Sequence, residues 1–179
     1  DKGRANANKL LNRFLWAVNR KSCISLAEIN GGNLRNAIPR EAYAVIGVDK
    51  NFKEELTVML NKYIADISVE YAATEPNFKM TIDTMSAPSN VIESNVTDRL
   101  LNAVYACPNG IIRMSDDIPG LVETSTNLAS IKMHDGKNIE IVTSQRSSIA
   151  SAKNDIASMV ESVFVLAGAN VKHSDGYPG

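Results

Sequence analysis

This chain of 179 residues has little of what usually advertises chemistry: two cysteines, two histidines, one tryptophan and a net charge of only −1. Cys23 and Cys107 have neither CxxC spacing nor a histidine neighbour, so a zinc site is not expected of them. A disulfide stays open beside the plainer reading of two buried free thiols in a reducing cytosol. His134 and His173 have no second histidine or carboxylate at ligand spacing, and both are expected to be exposed and non-catalytic. With no polybasic arm and no excess of one charge, nucleic acid and anionic membranes are not expected partners. No apolar run approaches the ~20 residues of a membrane span. The opening DKGRANANK lacks the apolar stretch of a signal peptide.

Other motifs fail on context. Gly31-Gly32 and Asn109-Gly110 lack the lysine and the strand–loop–helix setting of a phosphate loop. The serines of 145–155 lack a nucleophile elbow and a positioned base, and helix capping by Ser147 or Ser148 accounts for them. Asp116-Asp117 sits in turn-like SDDIPG and reads as a solvated loop.

What is present is patterning. Leu10, Leu11, Phe14, Leu15 and Val18 recur at three- and four-residue steps, which predicts a helix over 4–19. Strands are expected over 21–30 and 41–48, then a helix whose stripe runs from Phe52 to Ile67, with Asp49 as its cap. Alternation from Phe78 to Thr84 predicts a third strand. Ala87-Pro88 marks a boundary, dividing the chain into 1–88 and 89–179. Beyond it a helix is expected over 93–106, stopped by Pro108-Asn109-Gly110. A strand over 120–133, a type I′ turn at Asp135-Gly136, a strand over 138–145, a helix over 148–167 capped by Gly168, and a strand over 170–174 follow. The order helix–strand–strand–helix–strand thus occurs twice. The expected fold is α+β: a two-layer, antiparallel sheet with helices on one face, built from two ferredoxin-like halves. The uncovered face, bearing Lys79, Asp83, Thr124 and Glu140, is expected to be polar.

Two groups near strand ends can recognise a ligand. Asn36, in GGNLRNAIPRE (31–41), both donates and accepts hydrogen bonds. Arg146 presents a planar fork that suits a carboxylate, and Thr124 is expected to share its face. A turn cap and a surface ion pair are the alternatives for these residues.

The stretches RANANKLLNRFL (4–15), GGNLRNAIPREA (31–42), ACPNGIIRMSDDIPGLVETSTNL (106–128) and GYPG (176–179) together resemble the bacterial cytosolic aminoacyl-histidine dipeptidases, a group of carnosinase-type zinc metallopeptidases. The resemblance runs end to end and is to the lid domain alone. It implies that the zinc ligands, the general base and the lid histidine of a GGHSG motif lie outside these residues. This chain then holds no metal, and the isolated segment is inactive. It also implies that Asn36 binds the substrate or its tetrahedral intermediate and that Arg146 grips the substrate's C-terminal carboxylate. The expected partners are a dipeptide such as Xaa-His and the parent's own catalytic domain, in the cytoplasm. Two other readings stay open: a freestanding amino-acid-binding regulatory module, and a dimerisation domain giving a homodimer.

Overall fold

A computed structural model of the protein describes residues 3–174. Helix α1 (Ala7–Lys21) begins where the Asn6 side chain accepts from the Lys9 amide, an N-cap that supplies one of the partners the first turn lacks. Strands β1 (Ser25–Gly31) and β2 (Ala42–Gly47) form an antiparallel pair. A short 3-10 turn, capped by Asp49, leads into α2 (Lys53–Glu70). Helix α3 (Ser94–Ala106) opens the second half, followed by β3 (Gly110–Met114), β4 (Val122–His134), β5 (Asn138–Ser147) and α4 (Ala150–Leu166).

The five strands make one antiparallel sheet. β4 is its spine. β5 pairs along most of one side of it. On the other side, β3 pairs with the first part of β4, and β1 meets it at Gly31–Ile131. The β4–β5 turn has positive φ at both Asp135 and Gly136, as expected for type I′. One core lies between sheet and helices. Phe14, Val18, Leu26, Ile29, Ile67, Leu101, Leu128 and Ile131 are buried in it. Tyr63 ties α2 to α1 by donating its hydroxyl to the Leu10 carbonyl at 2.7 Å.

The fold class agrees with the sequence, and three local features differ. Residues 78–84 are extended but pair with no strand among the described residues. Phe78 and Met80 are partly buried against the core, while Ile82 and Thr84 are exposed, so burial covers only the first part of the alternation. Residues 170–174 likewise form no strand. Strand β3 was not expected: Ile111, Ile112 and Met114 are all exposed, so no in–out pattern marks it. The second half therefore runs helix, three strands, helix, and the two halves are not copies in element order.

The covered face of α1 is not purely apolar. Asn8 and Asn12 are fully buried beside Phe14 and Val18. Asn12 donates to the Leu101 carbonyl of α3 at 2.9 Å, and Asn8 leans on the Gly31 carbonyl. A side chain at Gly31 would strike the Asn8 oxygen, which lies 1.9 Å from an ideal Cβ. Thus the first glycine of GGNLRNAIPRE is required because β1 passes close to α1.

Candidate functional site: one loop on the open face of the sheet

Register decides which face each group occupies. Arg146 pairs with Ser125, and Ser147 pairs with Thr124. Side chains alternate along a strand, so Arg146 and Ser125 share one face, with Thr124 and Ser147 on the other. The Thr124 and Ser147 hydroxyls bond at 2.8 Å, and Gln145 donates to Thr126 on that same side. Thr124 and Thr126 are buried. Thr124 is therefore not on the polar open face and does not stand beside Arg146: adjacent rungs point opposite ways.

Residues 32–38 form a loop beside β4. This loop is held at both ends to β4. Lys132 donates to the Asn33 side chain at 2.8 Å, and Asn127 donates to the Ala37 carbonyl at 2.8 Å. The Ala37 amide closes a turn onto the Leu34 carbonyl at 3.2 Å, which sets Asn36 at the third position of that turn. Pro39 is buried, and its carbonyl accepts from the Ala7 amide at 3.0 Å. The proline thus anchors the far end of the loop to the start of α1.

Asn127 and Arg146 share one face of the sheet, and Asn127 holds the carbonyl of Ala37, the residue after Asn36. Asn127, which clamps the loop, is the cross-strand partner of Ser144. Arg146 is two residues further along, so its Cα is the diagonal neighbour of Asn127 at about 7–8 Å. Both Asn36 and Arg146 are exposed. Neither has a hydrogen-bond or ion-pair partner among the described residues. The turn-cap and surface-ion-pair alternatives for these two side chains therefore find no contact here.

The loop rests on an asparagine network that the sequence did not reveal. Asn6 donates to the side chains of Asn109 and Asn127 and to the Leu128 carbonyl, while Asn109 accepts from the Leu128 amide. These side chains satisfy the β4 backbone where β3 has ended and β1 has not yet begun. Lys9 binds the last turn of α3, donating to the carbonyls of Val104, Tyr105 and Cys107 at 2.7–2.8 Å. That placement opposes the negative end of the helix dipole.

The other sequence candidates lie apart. His134 is exposed at the hairpin, and His173 is exposed beside Glu161 at 3.0 Å. Asp116 pairs with Arg113 at 2.5 Å in an exposed loop. Both cysteines are free thiols, Cys107 buried but Cys23 exposed, so only one meets the expectation of burial. Burial in apolar surroundings pushes the Cys107 thiol up to about 11, against the opposing pull of Lys9. Among the described residues, no group of three His, Cys, Asp or Glu side chains could hold a metal ion. No helix among them is long and apolar enough to cross a membrane. Two clefts, of about 480 and 610 Å³, open near the start of α1, and neither is lined by Asn36 or Arg146.

With this geometry in place, comparison with known proteins is informative. Residues 1–75 match the peptidase dimerisation domain. The chain is also similar, over 99% of its length and with 39% identity, to a cytosol non-specific dipeptidase of Escherichia coli. The aminoacylhistidine dipeptidase of Vibrio alginolyticus superposes with a TM-score of 0.94 at 34% identity, again over 99% of this chain. In each case the chain spans only 36% of the length of the relative. The resemblance seen in the sequence thus holds along the chain and concerns one segment of a longer protein, the one that carries the peptidase dimerisation domain. GYPG, at 176–179, lies outside the described residues.

Proposed function

We propose that this dimerisation-domain segment is the lid and substrate-binding part of a cytoplasmic, zinc-dependent dipeptidase acting on dipeptides such as Xaa-His. What supports the reading is that Arg146 shares a sheet face with Asn127, which holds the residue after Asn36, and that neither Asn36 nor Arg146 has a side-chain partner among the described residues. Arg146 stands on a sheet strand and Asn36 on a loop tied to that sheet, and both side chains are exposed and free to take a ligand.

Arg146 offers two parallel N–H donors to the substrate's terminal carboxylate. Asn36 offers its amide N–H to the oxygen that gains negative charge as the peptide carbonyl becomes tetrahedral. Closure of the lid would exclude water and bring both groups to the scissile bond. Zinc belongs, on this reading, to the catalytic part of the dipeptidase outside this chain. The residues of the chain bind, orient and shield, and the isolated segment is inactive. Residues 1–88 and 89–179 act as the two halves of the lid.

Steady-state kinetics of the full-length dipeptidase test this. Asn36→Ala should lower kcat by about 10²–10³-fold, the usual loss for an oxyanion donor. Arg146→Ala should raise KM about tenfold or more, because a bond to a charged group is worth roughly 1.5–3 kcal/mol. Wild-type values in both variants contradict the lid assignment.

A second role is favoured by a separate feature. β2 lies at the edge of the sheet, and the extended stretch 78–90 pairs with no strand among the described residues. Such an edge accepts a second copy by strand addition, in keeping with the dimerisation domain that residues 1–75 match. Sedimentation of the full-length protein tests it: a dimer supports this role, and a monomer at all concentrations contradicts it.

A further inference from the structure

We infer that Asn127 is a positioning residue for Asn36, through a clamp running from the start of α1 to the loop on the open face. The inference rests on the lid reading of Asn36.

Both ends of the Asn127 amide are in use. Its Nδ2 donates to the Ala37 carbonyl, one residue past Asn36, and its Oδ1 accepts from Asn6 Nδ2 at 3.2 Å. The orientation of Asn6 is itself fixed. Its Oδ1 accepts from the Lys9 amide as the α1 cap, and its Nδ2 faces Asn109 Oδ1 and the Leu128 carbonyl, each at 3.0 Å. Asn6 therefore presents a donor to Asn127, and Asn127 must turn its own donor to the loop.

The loop has little else to hold Asn36. Residues 33–37 are exposed, and the turn closes on one bond of 3.2 Å. Lys132 fixes the Asn33 side of the loop; on the other side Pro39 is anchored to α1, and Asn127 holds Ala37, between that anchor and Asn36. A side chain that must meet a developing charge tolerates little misplacement: an error of about 1 Å can lower the rate 10²-fold.

Asn127→Asp isolates the clamp. The change keeps shape and keeps an acceptor for Asn6, but it replaces the donor to Ala37 with a second oxygen facing a carbonyl. In the full-length dipeptidase, kcat should fall about 10–100-fold; KM is read in Asn127→Ala, where it should stay nearly unchanged, because a carboxylate at 127 could pair with Arg146 on the same face. Amide exchange over 33–37 should quicken, and in an Asn36→Ala background the change should cost nothing further. Asn127→Ala, which brings in no charge, is judged by the same criteria if the aspartate variant does not fold. An equal loss of kcat with and without Asn36 would mark a merely structural role and overturn the inference. So would wild-type turnover or unchanged loop exchange in a variant of Asn127, where Asn36→Ala alone is slow. Wild-type turnover of Asn36→Ala itself defeats the lid reading, and the inference with it, whatever Asn127 does.

Discussion

Gly32 lies against the carbonyl of Ala129: a Cβ at position 32 would stand 2.1 Å from that oxygen, and the residue has φ +72°. The loop leaves β1 at this point, close against the backbone of β4. Close approach and left-handed backbone both require glycine.

Gly32→Ala should therefore destabilise the protein by about 2–3 kcal/mol, the scale of a strained backbone position plus displaced contacts. Thermal unfolding checks this, with a loss of roughly 4–12 °C expected for a chain of this size. An unchanged melting temperature contradicts the close crossing of loop and β4.

Tyr63 joins α2 to α1 through its hydroxyl bond to the Leu10 carbonyl, with its ring tilted against Phe14 at 5.3 Å. Burial raises its phenol above the ordinary value, so it stays protonated and able to donate. Tyr63→Phe keeps the ring contact and strands the carbonyl, at an expected cost of about 1–3 kcal/mol in urea unfolding. No measurable loss would mean that water replaces the bond.

Glu75 sets an acid limit. Its carboxylate takes a forked pair of bonds from Arg40 and one from the Ala5 amide. The Arg40 bonds, foremost, hold its carboxyl below the ordinary 4.5, and Ala5 adds to this. The folded state thus binds this proton less readily than the unfolded chain. The stabilisation is present above pH ~4.5 and is lost as pH falls through the depressed value. Glu75→Gln should flatten this part of the stability–pH curve below pH 5. Glu70, paired with Arg13 at 2.7 Å but 42% exposed, contributes less and should be weakened by salt.

The thiols should divide by exposure. At pH 7.5 a thiol reagent should modify Cys23 quickly and leave Cys107, buried and raised to about 11, until the protein unfolds. Two fast equivalents in the native state contradict the packing of α3 against α1.

Much of the architecture is legible because burial writes itself into spacing. Leu10, Phe14, Leu15 and Val18 face the core at helical steps, and Asp135-Gly136 demands the turn it forms. Strand β3 escapes notice because Ile111, Ile112 and Met114 are exposed together, so there is no alternation to detect. Asn36 and Arg146 can be singled out by residue type and motif, but the face that Arg146 shares with Asn127 depends on register across β4 and β5, which no local pattern encodes. Asn6, Asn109 and Asn127 lie far apart in sequence and look like ordinary turn or cap residues; only the fold brings their amides together. Asn8 and Asn12 interrupt the α1 stripe, the one sign in the sequence that this helix buries polar contacts.

The most direct measurement is a crystal structure of the full-length protein with a phosphinic dipeptide analogue, whose tetrahedral centre mimics the intermediate of the proposed hydrolysis. With the lid closed, the Arg146 guanidinium should fork onto the analogue's terminal carboxylate, and the Asn36 amide should donate to a phosphinyl oxygen. An analogue seated in the catalytic centre of a closed enzyme, with both side chains still facing solvent, would contradict the account.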